Sequence, residues 1–253
     1  MRLGVCIGDN AAEIRIAKES GFDYVESGFS MLADKNGEKR EAFAAELKKR
    51  EFTCESVNCF IPGSLPVVGP CVDEDALYAY VSRGMTNGEA LGVKTVVFGS
   101  GGARAIPNGY DFAAAVRQLA VFLRQIAGPL AQEHGIRIAV EPLCDCNVIN
   151  TVKEAAMLAA MADHPAVMAL GDLYHMAAVH DAPENLLLLK GILWHTHIAE
   201  PSKRVYPSPT DGCDYKPFLS ALEEAGCPRC SVEARCSDFA VDAPLAVKAL
   251  RGA

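Results

Sequence analysis

Although half of the 253 residues are hydrophobic, the sequence has no unbroken apolar run near the roughly 18 residues that a membrane span needs. A membrane partner is therefore not expected, and the apolar half is available for a sizeable core. Basic residues are the minority charge: 24 Lys and Arg stand against 32 Asp and Glu, a net charge of −8. Gripping a nucleic-acid backbone takes clustered Lys and Arg; with no basic run, nucleic acid is not an expected partner either. The opening residues enter a strand-like run without the segments of a secretory signal, which makes the cytoplasm the expected location. Cysteine is plentiful but lacks pattern. Cys227-Pro-Arg-Cys230 has the spacing of a zinc knuckle, yet neither a second such pair nor a His pair accompanies it. In a reducing compartment these thiols are expected to be free and to behave as small hydrophobes.

What the chain does have is alternation. Apolar runs at 3–7, 24–26, 53–58, 94–98, 137–141, 167–172, 193–198 and 230–233 read as strands. Between and after them, helical patterns run over 11–20, 39–50, 73–91, 112–133, 152–161, 183–189, 216–225 and 243–250, the longest of them disturbed near Gly128-Pro129. Strict alternation of eight strands with eight helices is the count of a (β/α)8 TIM barrel of the α/β class. No composition break or low-complexity linker divides the chain, so residues 1–253 are expected to form a single TIM-barrel domain.

In such a barrel the chemistry belongs at the C-terminal ends of the strands and on the loops that follow. Four successive ends carry polar groups after otherwise apolar runs: Glu141, Asp172, the pair His195 and His197, and Glu233. Side chains two apart on a strand share a face, so the two histidines should point the same way, either as hydrogen-bonded core histidines or as part of a site. A single strand-end carboxylate is ordinarily a helix cap or an arginine's partner. Three carboxylates converging on one mouth repel one another unless a cation sits among them. A set of three oxygens and one nitrogen suits Mn²⁺, Mg²⁺ or Co²⁺, with Zn²⁺ also open.

Glu141-Pro142-Leu143, Gly171-Asp172-Leu173-Tyr174-His175, His195-Thr196-His197-Ile198 and Ser231-Val232-Glu233 resemble the ordered motifs of the xylose isomerase-like TIM barrels. The similar branch is the sugar (phosphate) isomerase/epimerase group with the ketose 3-epimerases. Val97-Phe98-Gly99-Ser100-Gly101 and residues 146–151 add to the likeness. The resemblance implies that Glu141, Asp172, His197 and Glu233 hold one divalent metal ion. It further implies that Glu141 and Glu233 exchange a proton at a carbon alpha to the carbonyl of a ketose or related polyol, through an enediolate. His175 matches a position that contacts substrate near the carbonyl, and His195 would line the pocket or support a ligand. The implied partner is a small sugar or sugar phosphate, and relatives of this type form homodimers or homotetramers.

Two departures from the family pattern stand out. The loop after Glu141 is short and lacks a further glutamate, so Asp145 is the only nearby substitute. After strand seven, Lys203 and Arg204 share the neighbourhood of a substrate-binding arginine. Arg104, behind the glycine-rich 99–102 segment, is a further substrate-contact candidate, as are Glu26 and Glu55, both near strand ends. The segment 99–102 itself reads as a flexible loop, the lone Trp194 as core on the opposite side of its strand from His195, and the Pro/Gly-rich 59–71 as long enough for a lid. Other readings of the same barrel are an inosose dehydratase, a hydroxypyruvate isomerase, an endonuclease acting at abasic sites, and a non-catalytic sugar-binding module.

Overall fold

The computed structural model describes residues 1–252. Eight parallel strands close into a barrel in chain order: β1 (Arg2–Cys6), β2 (Tyr24–Gly28), β3 (Cys54–Asn58), β4 (Thr95–Phe98), β5 (Arg137–Val140), β6 (Val167–Asp172), β7 (Leu193–Ile198) and β8 (Arg229–Val232). The closing seam pairs Leu3 with Cys230 and Val5 with Val232. The strands are covered by the helices outside and by one another's side chains inside, so most of their residues are buried.

The helices begin and end where local chemistry permits. α1 (Glu13–Ser20) stops at Gly21, α3 (Glu38–Arg50) follows the left-handed Gly37, and α4 (Glu74–Leu91) is capped by Asp73, whose side chain accepts from the Ala76 amide. α8 (Val152–Ala162) opens with a reciprocal capping box between Thr151 and Glu154. The long pattern over 112–133 resolves into α6 (Phe112–Phe122), a π turn at Leu123–Ala127 and α7 (Gly128–Glu133). Pro129 has no N–H to donate back into the preceding turn, which accounts for the widened turn ahead of it. α10 (Lys216–Ala225) and α11 (Phe239–Arg251) complete the outer ring, α11 starting four residues before the apolar periodicity does.

Three short helices escape sequence patterning: α2 (Phe29–Ala33), α5 (Gly101–Arg104) and α9 (Leu173–Ala178). All three sit directly after strands β2, β4 and β6, at the mouth, and are too short to show a period. Of residues 99–102, Gly101 and Gly102 therefore open α5, and Gly99 and Ser100 are the loop ahead of it. The 183–189 segment is a 3-10 helix, Pro183–Leu189. The 59–71 loop is pinned rather than free: Ile61 N donates to Ser100 Oγ at 2.9 Å, Val67 N to Ala103 O at 2.9 Å, and Gly69 bonds Gln118 through both its N and its O. Phe60 and Val67 of that loop are buried in the main core.

Inside the barrel the side chains change character from floor to mouth. At the floor, Trp194 donates its indole N–H to Thr95 Oγ1 at 3.1 Å, with Arg137 and Arg229 each 5.8 Å from its ring. Trp194 therefore faces inward, correcting the alternation argument that put it opposite His195. The reason is a bulge: Ala169 pairs with Leu193 and Leu170 with His195, leaving Trp194 as an extra residue. Above it Val97, Ala139 and Leu170 form a small apolar layer. Tyr24 crosses beside it to bond Ser231 Oγ at 2.9 Å, in space left by Gly4, whose Cβ would lie 2.2 Å from the Tyr24 ring. Above this layer the interior is polar.

Candidate active site

Four strand ends meet at the mouth. Glu141 follows β5, Asp172 ends β6, His197 lies in β7 and Glu233 follows β8; each offers one donor atom, and all four atoms lie within 4.8 Å of one another. His197 Nδ1 is central, 2.9 Å from Glu141 Oε1, 3.5 Å from Glu233 Oε2 and 3.8 Å from Asp172 Oδ2.

Each of these groups is held from behind. Asp172 divides its oxygens: Oδ1 accepts from the His175 amide at 2.9 Å, capping α9, while Oδ2 faces the site. Glu141 is held through its backbone and by space. Arg104, fully buried, donates Nη1 to the carbonyls of Phe98 (3.0 Å) and Glu141 (2.7 Å) and Nη2 to that of Ile149 (3.3 Å). A Cβ at Gly99 would fall 2.2 Å from Glu141 Oε2, so only glycine leaves room for this carboxylate. Glu233 accepts from Asn58 Nδ2 at 2.9 Å and from Arg204 Nη2 at 2.5 Å.

Beneath the mouth lies a carboxylate shared by two imidazoles. Glu26 Oε1 is 2.9 Å from His197 Nε2, and Glu26 Oε2 is 2.8 Å from His195 Nε2, with all three side chains sealed from solvent. An ionised carboxylate only accepts, so His197 carries a proton on Nε2, and in its neutral form its lone pair is on Nδ1, toward the other three carboxylates. A carboxylate behind a ligating histidine is the usual means of fixing tautomer and ring orientation.

Charge in this cluster is strongly coupled. Burial alone would raise the Glu26 carboxyl, but His197 and His195 outweigh it and hold it well below the ordinary range. Burial likewise opposes ionisation of Glu141 and loses to His197, with His175 and Arg104 adding to the pull. Glu233 goes the other way: burial, with repulsion from Glu141 and Asp172, pushes it up to about 7 against His197 and Arg204. Burial would lower His197, but Glu26, Glu233 and Glu141 together hold it well above its ordinary value. Without an ion, the imidazolium of His197 is thus the cation among these carboxylates.

The donor set fits a divalent ion. Oxygen donors about 2.1 Å from Mg²⁺ or Mn²⁺ would stand about 3 Å apart as neighbours and about 4.2 Å apart across an octahedron, and the observed 2.9–3.8 Å spacings around Nδ1 fall in that range. Three hard oxygens and one nitrogen are the chemistry expected of such an ion.

A cavity of about 480 Å³ opens above the cluster, walled by Glu141 and Glu233, by His175 and Arg204, and by residues 61–63 and 99–102. Its size is that of a small-molecule site. His175 Nδ1 accepts from the Cys144 amide at 3.1 Å, and Nε2 is buried without a partner, free for a ligand. Of Lys203 and Arg204, Arg204 lines the cavity and lies 5.0 Å from the Tyr174 ring. Lys203 is exposed, its backbone held by Glu200, and does not line the cavity.

Two further expectations are corrected and, of the two roles open to His195, lining the pocket is set aside. Arg104 points inward to backbone carbonyls instead of to a ligand. Glu55 lies near the N-terminal start of β3, at the floor, salt-bridged to Arg2 and Arg229 at 2.6 and 2.8 Å. His195 is buried on Glu26 and does not reach the cavity wall. Asn58, unremarked in the sequence, belongs to the site, as does Tyr174 of the β6 motif, under the Arg204 guanidinium.

The family model described as "Xylose isomerase-like TIM barrel" matches residues 14–251. No curated protein matches the chain in sequence. Among solved structures, the chain is similar to apo 3-keto-D-glucoside 4-epimerase, YcjR, from E. coli, with 20% identity, TM-score 0.84 and 100% of both chains covered. It is similar also to D-allulose 3-epimerase from Methylomonas sp. (19% identity, TM-score 0.83, covering 100% of this chain and 97% of that one). L-ribulose 3-epimerase aligns with TM-score 0.81 at 16% identity, over 99% of this chain and 93% of its own. At these identities the likeness establishes the fold.

Proposed function

The chain belongs to the xylose isomerase-like TIM barrel family, and from that premise we propose that it is a divalent-metal-dependent sugar epimerase or isomerase. The observation that carries this reading is the convergence of Glu141, Asp172, His197 and Glu233 within 4.8 Å at the barrel mouth, under a cavity fit for a monosaccharide. That three structures of the same fold are sugar epimerases supports it.

Glu141, Asp172, His197 and Glu233 would hold the ion, which supplies positive charge beside a substrate carbonyl and so makes the neighbouring C–H acidic. The protein's own groups do the rest. Glu141 and Glu233 project from β5 and β8 toward one cavity, so one carboxylate can take the proton and the other return it. Returned to the opposite face, the proton inverts the carbon. His175 offers its unpartnered Nε2 to the carbonyl oxygen. Arg204, fixed on Tyr174 and Glu233, closes the mouth and keeps Glu233 oriented. The reaction needs no second substrate.

The test is metal analysis followed by solvent exchange. The purified chain should hold about one divalent ion, reduced in His197→Ala. The Mn²⁺-loaded protein in D₂O should place deuterium at a single carbon of D-fructose or D-allulose, and Glu141→Gln and Glu233→Gln should each abolish this. A protein that binds no divalent ion after reconstitution would refute the assignment.

A further inference from the structure

A second cavity, of about 430 Å³, adjoins the first at the barrel mouth. Ser30, at the start of α2, lines both. The second cavity is enclosed by the end of α2, by Asp9 from the loop after β1, and by Tyr80 and Arg83 of α4. All of these flank the C-terminal face of the barrel, where substrates of this fold bind.

The wall between the cavities holds an unexplained group. The Tyr80 hydroxyl is buried and has no hydrogen-bond partner, which is rare for a polar atom out of reach of water. Its ring packs against Phe29 at 5.6 Å. The hydroxyl feels Arg83, from the second cavity, and Cys59, from the first. Burial pushes the phenol up to about 12, so it remains an O–H donor.

The remaining lining is mixed in charge. Lys39 is paired with Asp9 at 2.7 Å. Arg83 uses Nε on the Ala33 carbonyl at 2.5 Å, and neither it nor Lys35 has a carboxylate partner among the described residues. Asp34 and Asp9 stand among these cations. A phosphate would meet two carboxylates here. Sugar hydroxyls, each both donor and acceptor, match alternating carboxylates, cations and a free phenol.

We propose that this cavity is a second sugar subsite, and that the substrate is a keto sugar joined glycosidically to another sugar ring. The keto ring lies among Glu141, His175 and Glu233. The second ring lies across Ser30, between the Tyr80 hydroxyl and Arg83. The proposal rests on the epimerase reading, whose catalytic cavity it extends.

The test measures binding by titration calorimetry on the Mn²⁺-loaded protein, with D-fructose, fructose 6-phosphate, and the glucosyl-fructoses maltulose and isomaltulose as probes. At least one glucosyl-fructose should bind ten times more tightly than fructose. Tyr80→Phe removes a hydroxyl with no partner in the protein, so the fold is retained. It should weaken the disaccharide roughly threefold to tenfold, the worth of one hydrogen bond, and leave fructose unchanged. Fructose binding that no glucosyl-fructose betters would overturn the subsite while leaving the epimerase reading intact. So would unchanged affinity in Tyr80→Phe, since the Tyr80 hydroxyl would then meet no sugar. Preference for fructose 6-phosphate over both disaccharides, lost in Arg83→Gln, would make the cavity a phosphate site and refute the proposal. If no probe binds, both readings fall.

Discussion

Replacing Glu26 by Gln isolates the part played by a buried group that touches neither cavity. Both Glu26 oxygens accept, one from His197 Nε2 at 2.9 Å and one from His195 Nε2 at 2.8 Å. A glutamine has one acceptor and one donor in the same places. Without an ion, the variant can satisfy every group by turning its amide nitrogen to His197. The imidazole then accepts at Nε2 and carries its proton on Nδ1, donated to Glu141 Oε1. That arrangement closes the nitrogen that would face the ion in the proposed site. Binding forces the amide to turn over, and His195 must then move its proton to Nδ1, which has no partner. A buried N–H left unpaired costs about 1–3 kcal/mol. Metal affinity should therefore fall roughly 5- to 150-fold, which brackets the roughly 10- to 100-fold usual for groups behind a ligating histidine. Competition against a fluorescent chelator measures the affinity, and nitrogen NMR of the imidazoles reports which ring nitrogen of His197 is protonated. An affinity within twofold of the parent, with His197 still protonated on Nε2, would refute the tautomer argument.

The metal-free protein should lose stability as pH rises. Between the ordinary carboxylate value and about 7, folded Glu233 keeps a proton that the unfolded chain has released; folding then binds more protons, and stability drops by about 3 kcal/mol at most across that window. Thermal melts of chelated protein should show the decline from pH 5 to 6.5, where it should be absent from Glu233→Gln; above 6.5 the raised His197 adds a fall of the same sign in both proteins. Gly99→Ala should leave the fold intact yet cut metal affinity at least tenfold, because the new methyl group would occupy the place of Glu141 Oε2; equal affinity by chelator competition would show the carboxylate has another seat. Arg104→Leu strips the donors from three buried carbonyls and should lower stability by about 3 kcal/mol, a fall of roughly 6–12 °C in Tm, readable by calorimetry. Deleting Trp194 should remove the floor's filling but preserve the pairing of Leu170 with His195. The shortened chain should therefore melt lower and still bind about one ion, and a folded but metal-free deletion would contradict this register.

The strand ends were legible because their residues are out of place: a carboxylate or histidine closing an apolar run needs a reason, and four such anomalies on successive strands share one. What escaped depends on position in three dimensions. Glu26 and Glu55 look alike in the sequence, each in a short strand. Pairing separates them, since Glu26 stands level with Cys6 near the mouth, whereas Glu55 lies one residue into β3 and meets the arginines that begin β1 and β8. Arg104 follows a glycine-rich segment, as an anion-binding residue would, but its guanidinium finds carbonyls up to 45 residues away, which no local pattern encodes. The bulge in β7 is the deepest case. Strict alternation admits either Trp194 or His195 and His197 to the interior, and the sequence gives no sign of an exception. The extra residue admits all three, so that one strand both fills the floor through Trp194 and holds Glu26 against the underside of the four-residue cluster at the mouth. The family motif could be read without knowing this; why His195 accompanies His197 could not. Its neighbour ligates nothing at the mouth, and its place is explained by the second oxygen of Glu26, which would otherwise be buried without a donor.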